Sequence, residues 1–171
     1  LNDNIIIEYI VVGNEFFFTQ NLEYIENKYK IPIIGPTKAY ELELSKNYTR
    51  QITNEIDPTF NPEYLFLNSN EQCKNYIQDW FYNDEHPYYK KSEFVIKPDG
   101  LTGGKGVKLF PSNINSSEAI QYISSLDKCL IEETLNGEEF SLMAFTDSTH
   151  TIFMPLVKDF KRAYDNDKGD N

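Results

Sequence analysis

The chain has 171 residues, 40% of them hydrophobic and 15% aromatic, and a net charge of −11. That is enough apolar material for the core of one domain or two small ones. So acidic a balance argues against nucleic acid or an anionic membrane as the main partner, yet a few local lysines suffice to hold a nucleotide.

Residues 5–12 read as a buried strand, interrupted by Glu8 and ended by Gly13. Thr19 is placed to cap a helix over residues 20–29, with Leu22, Ile25 and Tyr29 on one face. Residues 31–34 form a short apolar strand closed by Gly35-Pro36. Strand, helix, strand in this order is a parallel crossover unit. Thr37 caps a second helix that passes Ala39 and Leu42 and reaches Tyr48. Residues 54–62 hold two prolines among polar turn formers and read as a loop or boundary. A strand over 64–67 precedes a helix over 71–82, with Cys73, Ile77, Trp80 and Phe81 at helical spacing. A short helix is expected at 116–125, then strands at 129–131, 139–146 and 151–157. Asp147-Ser148 is the turn between the last two.

Cys73 and Cys129 are far apart with no Cys-x-x-Cys, and His86 and His150 are isolated. Buried free thiols are expected and a zinc site is not. No apolar run approaches a membrane span and no signal peptide stands out, so the expected location is the cytoplasm.

The most informative stretch lies between the apolar runs at 94–97 and 107–110. It reads Lys97-Pro98-Asp99-Gly100-Leu101-Thr102-Gly103-Gly104-Lys105-Gly106. Glycines let backbone N–H groups approach anionic oxygens, and lysines supply charge. The pattern is a phosphate-holding hairpin. It is not a Walker loop, because Gly106 follows Lys105 and a strand, not a helix, comes next. It is not a dinucleotide fingerprint, because Gly104-x-Gly106 lacks a third glycine and a following helix.

Three further signals accompany it. They are Gly35-Pro36-Thr37-Lys38 with Leu44-Ser45-Lys46, the acidic stretch from Ile131 to Ser141, and the stretch from Met154 to Tyr164. In this order the motifs resemble the phosphoribosylamine–glycine ligase (glycinamide ribonucleotide synthetase) family of the ATP-grasp superfamily, in its archaeal-type variant and truncated at both ends. The likeness runs over the whole chain.

The resemblance implies a mixed α/β and α+β fold, a partial ATP-grasp fold. Residues 1–36 would be the end of an N-terminal Rossmann-like domain. Residues 37–64 would be a linker and first ATP-grasp helix region. Residues 65–136 would be a lid subdomain with the glycine loop, and 137–171 the incomplete start of the central sheet. It implies ATP contacts from Lys46, Lys97, Gly103, Gly104, Lys105 and Gly106. The backbone of Glu132, Glu133 and Leu135 would receive adenine, and Glu139 the ribose hydroxyls. Lys97, Lys105, Asp159 and Arg162 would be catalytic, with Glu15, Asp159 and Lys161 on the glycine and amine side.

ATP and Mg2+ (or Mn2+) are the implied cofactors, the metal ligands being expected beyond Asn171. The implied partners are glycine, 5-phosphoribosylamine and further parts of the same polypeptide, and this stretch alone would be inactive. No metal ligand is assigned within the chain. Three departures touch the substrate side: the family's QDHKR reads Lys158-Asp159-Phe160-Lys161-Arg162, its GPE reads Gly13-Asn14-Glu15, and its G-D-T-G-P-N reads Asn166-Asp167-Lys168-Gly169-Asp170-Asn171. Another carboxylate–amine ligase, or a degenerate nucleotide-binding paralogue without turnover, remains an alternative.

Overall fold

Phe94-Val95-Ile96-Lys97 and Cys129-Leu130-Ile131-Glu132 both alternate between two surroundings, and a sheet places the alternating sets on opposite faces. These runs are strands β4 (Phe94–Pro98) and β6 (Cys129–Glu133), numbered with the other strands in chain order. They pair antiparallel at the centre of a four-stranded sheet of order β3-β6-β4-β5. Its other members are β3 (Tyr64–Leu67) and β5 (Lys108–Phe110). The computed structural model describes residues 6–37, 39–82, 93–158, 160 and 164. The chain divides into two units, Leu1–Thr134 and Leu135–Asn171.

In the first unit, two helices cover one face of this sheet. They are α4 (Asn70–Tyr82) and α5 (Ser116–Ser125). Helix α5 begins on a capping box: the Asn115 side chain accepts from the Glu118 N–H, and Glu118 accepts from the Asn115 N–H. The core holds Phe94, Ile96, Cys129 and Ile131 from the strands against Cys73, Ile77, Ala119 and Ile123 from the helices. Trp80 and Phe81, expected on the same face of α4, lie outside the described side chains. The two thiols stand 3.8 Å apart as free cysteines. Burial pushes both of their pKa values up, so they remain protonated and unreactive at neutral pH.

The opposite face carries Val95, Lys97, Leu130 and Glu132. In the β4–β6 register Val95 lies opposite Glu132 and Lys97 opposite Leu130. Lys97 and Glu132 are therefore diagonal neighbours on one face, within reach of long side chains.

Upstream, the crossover unit forms, but its strands are shorter than the apolar runs. β1 (Ile10–Val11) pairs parallel with β2 (Ile33–Ile34) across α1 (Leu22–Tyr29). The cap of α1 is Asn21, not Thr19: its side chain accepts from the Tyr24 N–H at 2.8 Å. Asparagine caps at least as well as threonine. Residues Glu15–Thr19 form a 3-10 helix of their own, capped by Asn14. Leu22 is buried, whereas Tyr29 faces solvent.

The single helix expected from Thr37 to Tyr48 is instead two. α2 (Glu41–Leu44) ends at Ser45, whose backbone is extended, and α3 (Lys46–Ile56) starts there. The Ser45 hydroxyl accepts from the Tyr48 N–H at 3.1 Å, which makes it a cap. Serine side chains compete with helix continuation in this way. α3 also runs into the stretch expected to be a loop, and Asp57 then caps a 3-10 turn, Pro58–Phe60.

In the second unit, the two long strands expected at 139–146 and 151–157 each split. β8 (Ala144–Thr146) pairs with β9 (Thr151–Phe153), and β7 (Phe140–Ser141) with β10 (Val157–Lys158). The pairing slips by one residue between the two ribbons, with the extra residue on the side of Pro155. Proline cannot donate to the ladder, and such a slip is a bulge. Ser148 has φ 75°, which turns the hairpin at Asp147-Ser148. No helix among the described residues is long and apolar enough to cross a membrane.

Candidate functional site

On the face of the four-stranded sheet opposite α4 and α5, α3 and the glycine loop wall a cleft of about 460 Å³. Its cations are Lys46 and Arg50 from α3 and Lys97 from β4; its carboxylates are Glu15, Glu43 and Glu132. Gly100, Leu101, Thr102, Gly103 and Gly104 form one rim.

α3 is fastened to the start of the loop by its N-terminus. The Asp99 carboxylate accepts from the Ser45 hydroxyl at 3.1 and 3.2 Å and from the Asn47 N–H at 3.2 Å. An anion there also suits the helix dipole. Lys46 Nζ donates to the carbonyls of Pro98 (3.0 Å) and Gly100 (2.7 Å). An ammonium has three protons, so these bonds engage two of them. Burial draws the Lys46 pKa down, against the pull of Asp99.

The loop itself turns through left-handed backbone at Gly103 (φ 59°) and Gly104 (φ 75°), where a side chain would be strained. It closes on itself at its far end. The Lys105 N–H donates to the Thr102 carbonyl, and a Cβ on Gly106 would stand 2.7 Å from Thr102 Cγ2. The Tyr122 hydroxyl, on α5, donates to the Gly106 carbonyl at 2.7 Å. The loop thus has two fixed ends, and the segment between them bears glycine.

At the floor sits Glu132, 1% exposed. Arg50 grips it with a fork, Nε to Oε1 and Nη2 to Oε2, both at 2.9 Å. Lys97 Nζ lies 2.6 Å from Oε2. Burial works to raise the Glu132 pKa, but the hydrogen bonds and charges of Arg50 and Lys97 outweigh it and hold the carboxyl below its ordinary value.

The structure therefore brings Glu15, Lys46, Lys97, Gly103, Gly104 and Glu132 to one cleft. Lys105 and Gly106 are on the loop but outside the cleft wall, and Lys105 is exposed. Glu133 points elsewhere: its carboxylate accepts from the Glu63 N–H at 2.8 Å. Leu135 and Glu139 are exposed residues of the second unit. Lys38, Asp159, Lys161 and Arg162 lie outside the described residues. Lys158 and Phe160, which stand where the QDHKR motif has Gln and His, lie together: Lys158 Nζ is 5.6 Å from the Phe160 ring centroid and 3.0 Å from Glu138 Oε1.

Arg50 was not among the residues expected at the site. The available signal was its place one helical turn after Lys46, on the same face. The described residues do not fit a metal ion: no group of three or more His, Cys, Asp or Glu is gathered among them, and both oxygens of Glu132 are taken.

Comparison with known proteins places this architecture. The fold is that of ATP-grasp ligases. A phosphoribosylamine–glycine ligase from Thermotoga maritima superposes with a TM-score of 0.69 at 24% identity, covering 98% of this chain and 40% of that one. A D-alanine–D-alanine ligase from Helicobacter pylori gives a TM-score of 0.58 at 22% identity, covering 80% and 40%. The family described as phosphoribosylglycinamide synthetase, ATP-grasp (A) domain, matches residues 44–171, and the chain belongs to it. Among curated relatives, phosphoribosylamine–glycine ligase of Methanocorpusculum labreanum is 38% identical over 168 residues, 96% of this chain and 37% of the relative. That of Pyrococcus abyssi is 35% identical over 145 residues, 81% of this chain and 31% of the relative. The chain thus spans roughly a third of the length of these relatives.

Proposed function

We propose that the protein carrying this chain joins glycine to 5-phosphoribosylamine, driven by ATP, as a step of purine biosynthesis. The observation that carries this is the meeting of Lys46, Lys97 and the glycine loop at one cleft in a chain of this family. A carboxylate oxygen of glycine attacks the γ-phosphorus, and ADP leaves. The amine of 5-phosphoribosylamine then attacks the acyl carbon of the glycyl phosphate and loses a proton, and inorganic phosphate departs.

The chain's own contribution is positioning and charge. Lys97 and Lys46 lie against the phosphates, and residues 100–106 cover them, with Lys105 brought in as the loop closes. The backbone after Glu132 receives adenine. Leu135, Glu139, Asp159, Lys161 and Arg162 keep the roles the family resemblance implies. Glu15, at the cleft wall, faces the glycine side. A divalent metal, when bound, neutralises charge on the transferring phosphoryl group. The described residues do not hold it.

The test is ADP release by the complete protein. Release is expected to depend on both glycine and 5-phosphoribosylamine, with D-alanine inert in place of glycine. Turnover with D-alanine or another carboxylate instead makes it a different ligase of the superfamily. ATP binding without turnover on any carboxylate makes it a non-catalytic paralogue.

A further inference from the structure

The contacts of Arg50 reach beyond the cleft. While its fork holds Glu132, its Nη1 donates to Asn61 Oδ1 at 3.2 Å. Asn61 in turn donates to the Arg50 carbonyl at 2.8 Å and to Asn54 Oδ1 at 2.7 Å. The guanidinium is thus held from behind by the turn that follows α3. A planar fork engages both oxygens of a carboxylate, which an ammonium cannot do.

The charges at the cleft floor decide what this does. Arg50 and Lys97 are two cations sharing one carboxylate, so the floor carries a net positive charge. Without Arg50, Glu132 and Lys97 form a closed pair of no net charge. Because Glu132 is shielded from water, that pairing is weakly screened and strongly held. An anionic ligand then competes with Glu132 for Lys97. With Arg50 present, the carboxylate is divided and the lysine keeps attraction to spare.

We propose that Arg50 is a positioning residue for triphosphate binding: by gripping Glu132 with its fork, it keeps Lys97 electrostatically available to the phosphates. This rests on reading the cleft as the ATP site. A purely architectural ion triad makes a different set of predictions.

The experiment is calorimetric titration of the complete protein and three variants, Arg50→Gln, Arg50→Lys and Arg50→Gln combined with Glu132→Gln. Each is titrated with ATP and with adenosine, at a temperature where circular dichroism shows it folded. Arg50→Gln is expected to weaken ATP roughly tenfold, the low end for a charge-assisted contact because the effect is indirect, and to leave adenosine unchanged. Arg50→Lys restores only part of the loss, since it restores the charge but not the fork. The double variant also recovers, since removing the carboxylate charge releases Lys97. Undiminished ATP affinity in Arg50→Gln overturns the role given to Arg50. So does a double variant weaker than the single, or an equal loss for adenosine. If the unaltered protein binds no ATP, the nucleotide reading falls and the role of Arg50 falls with it.

Discussion

Lys97→Ala is expected to weaken ATP binding by the complete protein about ten- to a hundredfold. Lys97 is the penultimate residue of β4, follows three buried apolar residues, and faces a cleft at 27% side-chain exposure. A lysine at such a place is costly to keep unless its charge is used. Losing a charge-assisted contact typically costs about 1.5–3 kcal/mol, which sets the size of the effect. Lys128→Ala is the matched control. Lys128 precedes β6, is exposed, and lies outside the cleft wall, so its removal subtracts the same charge without touching the site. Equal ATP affinities for the two variants, measured by calorimetry, remove Lys97 from the site.

The second large effect is on stability. Glu132→Ala leaves the Arg50 and Lys97 cations facing each other with no anion between them. Breaking a buried ion pair by removing one partner costs about 3–5 kcal/mol. Both cations here keep some contact with water, at 21% and 27% side-chain exposure, so the low end, about 3 kcal/mol, applies. The loss is read as a lower melting temperature of Glu132→Ala than of the unaltered protein.

The pH dependence has a definite sign. The folded-state pKa of Glu132 is depressed. Its stabilisation is therefore complete above the ordinary carboxylate pKa and lost as pH falls through the folded value. The unaltered protein should keep its advantage over Glu132→Ala down to the ordinary carboxylate range and lose it as the pH falls through and below that range. Melting curves that stay separated by a constant amount through that range place the stabilisation elsewhere.

How much of this could be read from residues alone depends on range. The glycine hairpin was legible because its determinants are local: apolar runs on both sides, glycines where positive φ is needed, and no helix signal after Gly106. β4 and β5 pair around it as expected. Helix α5 was legible for the same reason, its apolar spacing agreeing with its boundaries.

What was not legible depends on register. Arg50 and Glu132 are 82 residues apart, and nothing near either one announces the other. Their meeting follows from the pairing of β6 beside β4 and from α3 being fastened to Asp99. The resemblance treats Glu132 and Glu133 alike, as backbone that receives adenine, and nothing local tells their side chains apart. The structure separates the two: Glu132 at the cleft floor, Glu133 bonded to the backbone of Glu63. The break at Ser45 and the bulge beside Pro155 were missed for a smaller reason. Each is a single residue whose side chain or missing N–H overrides an otherwise continuous pattern.

Hydrogen exchange across residues 99–107 of the complete protein, with and without saturating ATP, tests the phosphate-covering role of the glycine loop most directly. The expected result is slowed exchange at Gly103, Gly104 and Lys105 when ATP is present, with little change in the core strands. Unchanged exchange in the loop, under conditions where calorimetry shows ATP bound, contradicts it.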